Sequence, residues 1–206
     1  MDRPKRLALY GGSFSPVHCG HVLAARAFLS ITQADKVVIM PARRPPHKSL
    51  DGMAGDNARL DMCRLAFEED EVLRGRCEVS EWELSRPDVS YTIDTIEYFR
   101  SIGYTDIYLL VGTDMLLTFE RWYRFRDILE YVTLCYIDRY DDARMKTKEQ
   151  AERFEREYKA RIIPLDVDVF DVSSSEIRDR VSRGEGIKGL VPAKVEEYII
   201  KNSLYK

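Results

Sequence analysis

The feature that most limits how this chain can fold is a short apolar run, Leu7-Ala-Leu-Tyr10. It breaks into Gly11-Gly-Ser-Phe-Ser-Pro-Val and then meets His18-Cys-Gly-His21. An apolar run that ends in glycine and passes straight into helix-forming residues reads as a buried strand turning sharply into a helix. Gly11 and Gly12 open backbone angles closed to other residues and let a ligand approach the main chain, while Pro16 stiffens the loop. Residues 21–31 place Val22, Ala25 and Leu29 along one face, with nothing to break a helix. The N-terminus of that helix, with its unpaired N–H groups and positive dipole end, points at whatever the loop holds, and phosphate suits it. His18 and His21, three apart, sit at that same end.

A histidine at a helix start can simply cap or pack. The chain has only three histidines, however, and the third, His47, lies in a Pro-rich basic loop, Pro41-Ala-Arg-Arg-Pro-Pro-His-Lys48. Zinc is a second reading of the pair, since two histidines can be ligands. No cysteine or carboxylate stands at helical ligand spacing beside them, and no metal site is expected.

A chain of 206 residues, 45% hydrophobic, suffices for one α/β core and is short for two full domains, so residues 1–206 are expected to form one domain. With 32 Lys and Arg against 35 Asp and Glu the net charge is −3, which gives no general basic surface for nucleic acid. Four widely spaced cysteines without a CxxC pair read as core or loop thiols, which fits a reducing cytoplasm. The basic start has no apolar stretch behind it, and no run reaches the roughly 18 residues of a membrane span.

Further along, Lys36 to Met40 reads as a second buried strand, of the kind seen in parallel sheets. The 41–51 loop gathers Arg43, Arg44, His47 and Lys48, a donor-rich segment or simply a solvated one. The pattern predicts a helix over 56–69, a strand over 77–84 and a helix over 91–102 stopped by Gly103. Ile107 to Val111 is another buried strand running into glycine, Gly112, with Asp114 two residues on. In a doubly wound sheet ligands collect outside the carboxyl ends of the strands where the order reverses, so Gly11 to His21 and Gly112 to Asp114 are expected to be neighbours. An amphipathic segment to Tyr131, a strand over 132–137, a charged surface helix over 141–160 without chemistry and a last strand over 167–172 follow. Ser173 and Glu176 form a capping-box pattern for a helix to Arg183, which sets Arg178 about a turn in. A short helix over 192–201, opened by Pro192, closes the chain.

The segment Gly12-Ser-Phe-Ser-Pro-Val-His18-Cys-Gly-His21 resembles the HxGH signature of the nucleotidyltransferase superfamily. Residues 41–48, Ser90-Tyr-Thr92, Gly112-Thr-Asp-Met-Leu-Leu-Thr-Phe-Glu-Arg-Trp-Tyr123 and Val172-Ser-Ser-Ser-Glu-Ile-Arg178 are similar to stretches of the bacterial nicotinate-nucleotide adenylyltransferases. HxGH alone would give only the superfamily; the Trp122 segment and Ser90-Tyr-Thr92 narrow it. The resemblance implies a single Rossmann-like, doubly wound, mainly parallel sheet with flanking helices. It implies adenylyl transfer from ATP to nicotinate mononucleotide, with Mg²⁺ carried on ATP, and leaves room for a homo-oligomer. His18, His21 and Arg178 would be catalytic. Gly11, Gly12, Ser13, Phe14, Gly112, Asp114, Ser173, Ser174 and Ser175 would join them around ATP. His47 and Lys48 would face the acceptor's phosphate, Thr92 and Tyr123 its nicotinate, and Trp122 would stack on the pyridine ring.

One departure stands out: the family usually has Asp where this chain has Ser15. The carboxylate is absent from the loop, although a serine can still brace a turn by hydrogen bonding, and Asp114 is a candidate replacement. Two rivals remain open at this point. A phosphopantetheine or cytidylyl transferase would share the histidine pair but has no need of Trp122 and Ser90-Tyr-Thr92. A non-catalytic nucleotide sensor would explain Ser15 but not the intact His18, His21 and Arg178.

Overall fold

The computed structural model describes residues 5–45, 51–138, 144–166 and 172–206. The chain forms two compact units, each made of three separated stretches: residues 1–11, 27–38 and 91–168 in the first, residues 12–26, 39–90 and 169–206 in the second.

Six strands, β1 (Lys5–Gly12), β2 (Lys36–Pro41), β3 (Cys77–Val79), β4 (Tyr104–Val111), β5 (Val132–Asp138) and β6 (Arg161–Asp166), lie in the order β3-β2-β1-β4-β5-β6. This is the doubly wound order expected from the sequence, reversing between β1 and β4. The β1·β4, β4·β5 and β5·β6 pairs are parallel. Tyr10 stands opposite Leu110, so Gly11 and Gly112 leave the sheet from adjacent strands at the same end. The strands are apolar because they are covered: Leu7, Ala8 and Leu9 in β1, Ile107 and Leu109 to Val111 in β4, and Val132, Leu134 and Cys135 in β5 are all buried.

In the first unit α3 (Thr92–Ser101), α4 (Thr113–Leu117), α5 (Phe125–Tyr131) and α6 (Arg144–Tyr158) flank these strands. Gly103, at φ +99°, ends α3, a conformation that a side chain would strain. In the second unit α2 (Asp56–Cys63) runs on as a π-helical turn, Arg64–Glu68, whose buried face carries Ala66 and Phe67. Helices α7 (Ser174–Ser182) and α8 (Ala193–Lys201) complete that unit, and α1 (Cys19–Thr32) has segments in both.

Three expectations change. The strand over 77–84 is three residues long, because Ser80 turns the chain: its hydroxyl accepts from Trp82 N–H (3.3 Å), and Ser85 N–H then bonds the Glu81 carbonyl (2.9 Å). A strand at 161–166 escaped the sequence reading because Pro164 interrupts it. A proline is tolerated there because β6 ends the strand order and its missing N–H interrupts no further ladder. The single helix over 56–69 becomes α-helix and π-turn. The expected last strand over 167–172 lies, but for Val172, outside the described residues.

Candidate active site

In the second unit the loop between β1 and α1 is held by donors from both other stretches of that unit. Ala42 N–H bonds the Gly12 carbonyl (2.9 Å), Arg59 Nη1 the Ser13 carbonyl (2.9 Å), Arg178 Nη1 the Ser15 carbonyl (2.8 Å), and Ser174 Oγ the Pro16 carbonyl (2.8 Å). Cys19 N–H closes on Leu190 O (2.9 Å). Four loop carbonyls thus turn toward protein donors, which fixes the loop before any ligand arrives.

Gly12 serves this loop through space rather than backbone angle. Its φ lies outside the left-handed region, and a Cβ there would meet the Phe14 ring at 2.9 Å. It is Phe14 that takes the positive φ, +47°. Its buried ring stands edge-on to His21 (5.1 Å between centroids) and to Phe67 of the π-turn (5.7 Å). The loop glycine therefore allows the phenylalanine to fold back and wedge the histidine.

His18 and His21 come together at the start of α1 with rings stacked at 3.6 Å and an interplanar angle of 27°. His18 N–H donates to His21 Nδ1 (3.2 Å). A neutral His21 with Nδ1 accepting carries its proton on Nε2, so the backbone selects the tautomer that presents a donor there. Among the described residues no cluster of three or more His, Cys, Asp or Glu is placed to hold a metal ion. The two imidazoles and the Arg59 and Arg178 guanidiniums gather at this loop.

Ser15 is 1% exposed. Its hydroxyl accepts from Ala54 N–H (2.9 Å) and shares a hydrogen bond with Tyr205 (3.0 Å), so it ties the loop to two distant segments. Burial pushes the Tyr205 hydroxyl up to about 12, against the pull of Ser15, Arg178 and Arg59, and it stays protonated at neutral pH. Ser173 caps α7 through Glu176 N–H (3.1 Å), but the Glu176 carboxylate turns to Arg180 (2.9 Å) rather than back to the cap, so half of the capping box forms. Arg178 uses its second amino group on Ser175 Oγ (3.1 Å).

Sequence reasoning missed Arg59 and Tyr205. Arg59 is 1% exposed and pairs with Asp56 at 2.7 Å. The only signal in sequence was that acid–base pair at i,i+3 on a helix, ordinary on a surface. Ser90 also does more than its motif suggested. Its hydroxyl accepts from Arg43 N–H (3.1 Å), and its N–H bonds the Arg44 carbonyl (3.1 Å), pinning the entry to the basic loop. His47 and Lys48 lie outside the described residues.

The first unit carries the remaining predicted residues. Tyr123 packs on Tyr91, the N-cap of α3, at 4.7 Å. Arg124, at φ +54°, pairs with Glu97 of α3 at 2.9 Å. These contacts bring the Trp122 segment to the helix end that begins with Thr92. Trp122 stacks on Phe119 at 4.7 Å, and its buried Nε1 has no hydrogen-bond partner among the described residues. Gly112 is extended, with open space where a Cβ would sit. Thr113 Oγ1 anchors α4 to the Ile137 carbonyl (3.2 Å), leaving Asp114 exposed in the first helical turn. All four cysteines are free thiols, and burial pushes Cys63, Cys77 and Cys135 up, which keeps them unreactive. Among the described residues no helix is long and apolar enough to cross a membrane.

The profile of the family described as cytidylyltransferase-like matches residues 9–180. A protein of Thermotoga sp. (strain RQ2) named "Probable nicotinate-nucleotide adenylyltransferase" is 39% identical over 199 residues, covering 97% of each chain. A Caldicellulosiruptor bescii protein of the same name is 34% identical over 201 residues, 98% of this chain and 99% of its own. Among solved structures, Plasmodium falciparum nicotinic acid mononucleotide adenylyltransferase complexed with NaAD superposes with a TM-score of 0.77 at 19% identity. That match spans 98% of this chain and 97% of the other.

Proposed function

This chain belongs to the cytidylyltransferase-like family, among its nicotinate-nucleotide adenylyltransferases, and we propose that the residues described above carry that reaction. ATP and nicotinate mononucleotide give nicotinate adenine dinucleotide and pyrophosphate, a step of NAD biosynthesis. The acceptor's 5′-phosphate oxygen bonds to the α-phosphorus of ATP as the bond from that phosphorus to the β-bridging oxygen breaks. Two anions are brought into contact, so positioning and charge neutralisation matter more than a protein nucleophile.

The observation that carries the assignment is the bonding of Arg178 and Ser174 to the Ser15 and Pro16 carbonyls, more than 150 residues away in sequence. It ties the loop before the histidine motif to the Ser173 to Arg178 motif, which supports reading the two as parts of one anion-binding site. His21, presenting Nε2–H at the start of α1, would donate a hydrogen bond to the reacting phosphate, with His18 stacked beside it. Arg178 and the N–H groups at Ser173 to Ser175 would take the β and γ phosphates. Gly11, Gly12, Ser13 and Phe14 shape the loop, while Gly112 and Asp114 would lie by the nucleoside. Thr92, Trp122 and Tyr123 would read the nicotinate, and His47 and Lys48 the acceptor's phosphate.

A divalent cation, Mg²⁺, would come with ATP and offset the charge of its phosphates. Cytoplasmic placement and one nucleotidyltransferase domain complete the proposal, supported by the free thiols and by a profile match that runs through both units. The test is pyrophosphate release on mixing the protein with ATP, Mg²⁺ and nicotinate mononucleotide. Release with phosphopantetheine as acceptor, or none without a different nucleotide, would move the chain to another branch of the superfamily.

A further inference from the structure

Helix α6 matches none of the family's motifs, and its sequence alone reads as a solvated face. In the structure it grips the segment that carries Trp122. Phe154, fully buried, packs at 6.1 Å from Phe119, and Phe119 stacks on Trp122. Beside it, two other α6 side chains take the Glu120 carboxylate: Tyr158 donates to one oxygen (2.9 Å) and Arg153 pairs with the other. The Arg153 guanidinium also lies 5.4 Å from the Phe154 ring centre. The Arg153 hydrogen bond, with help from Tyr158 and Gln150, holds the Glu120 carboxyl below the usual carboxylate range despite some burial.

Phe119–Arg121 is a single 3₁₀ turn, and Trp122 N–H bonds back to the Phe119 carbonyl (3.0 Å). Glu120 and the indole thus hang from one turn of backbone. The Arg153 and Glu120 side chains remain 32% and 36% exposed, so this ion pair adds little to fold stability. A contact of small energetic weight placed two residues from a recognition ring acts mainly on geometry, where a displacement of about 1 Å is costly.

We propose that Arg153 and Tyr158, acting through Glu120, are positioning residues that aim Trp122 and so determine affinity for the acceptor nucleotide. This rests on the reading that Trp122 stacks on the pyridine ring. Arg153→Met keeps the aliphatic stem and removes the fork; Tyr158→Phe removes one hydroxyl. Each should raise KM for nicotinate mononucleotide about fivefold or more, with KM for ATP and Tm unchanged. Because the effect passes through the indole, Arg153→Met should add nothing further in a Trp122→Ala background. Acceptor KM within about twofold of the parent in both single variants overturns the proposal, as does an equal rise with and without Trp122. If Trp122→Ala alone leaves acceptor KM unchanged, the stacking reading fails first and this one with it.

Discussion

The main chain sets the tautomer of His21: His18 N–H on its Nδ1 leaves Nε2 as the proton-bearing atom. A preorganised donor at a helix N-terminus acts most where negative charge builds. His21→Ala should lower kcat by on the order of 10²-fold or more while leaving Tm nearly unchanged; a kcat within about threefold of the parent removes His21 from the chemistry. The histidines were legible in sequence because three positions along a nascent helix put two rare residues at one end. The work of Gly12 was misread, since spacing cannot tell a glycine that frees a backbone angle from one that makes room for the Phe14 ring. Arg59 and Tyr205 could not be read at all, because their contacts with Ser13 and Ser15 cross 46 and 190 residues. Ser15 itself is neither a vacancy nor a lost acid: its hydroxyl ties Ala54 and Tyr205 to the loop.

At the scale of elements, α1, β2, α3, β4 and β5 declared themselves through periodicity or unbroken apolar runs. β3 showed its start but not its end, which a serine turn sets, and β6 did not show at all, because a proline masked it. A tertiary contact that no periodicity reveals also ties α1 down: Arg26 grips Asp70 with two hydrogen bonds, while Val72 and Leu73 N–H groups meet the same carboxylate. Burial pushes the Asp70 carboxyl up, yet Arg26 and the two N–H groups outweigh it and hold the group below its usual range. A carboxyl depressed in the folded state stabilises fully above its unfolded value, about 3.9, and that contribution is lost as pH falls through the lower folded value. Asp70→Asn should therefore lower Tm at pH 7 and narrow the gap to the parent below about pH 3. A Tm difference independent of pH would show that the charge of Asp70 is not what holds α1.

For the whole molecule, the chain passes repeatedly between two units, so that motifs far apart in sequence share the second unit while Thr92, Trp122 and Tyr123 share the first. If Thr92, Trp122 and Tyr123 read the nicotinate as proposed, the first unit's chemistry decides which pyridine nucleotide is served. A carboxylate only accepts hydrogen bonds, whereas a carboxamide also offers an NH₂ that needs an acceptor. Trp122 N–H is committed to the Phe119 carbonyl, so on the proposed reading the donors that would meet the substituent are Trp122 Nε1–H and the main-chain N–H groups at Thr92 and Tyr123. Glu120, the carboxylate of the Trp122 segment that could have accepted from an amide, is turned to Arg153 and Tyr158. An amide placed against N–H donors leaves buried groups unpaired at about 1–3 kcal/mol each. The most direct test is a side-by-side measurement, with ATP and Mg²⁺, of kcat/KM for nicotinate mononucleotide and for nicotinamide mononucleotide. The acid should be favoured by at least roughly 10²-fold. A ratio near one, or a preference for the amide, would contradict the account.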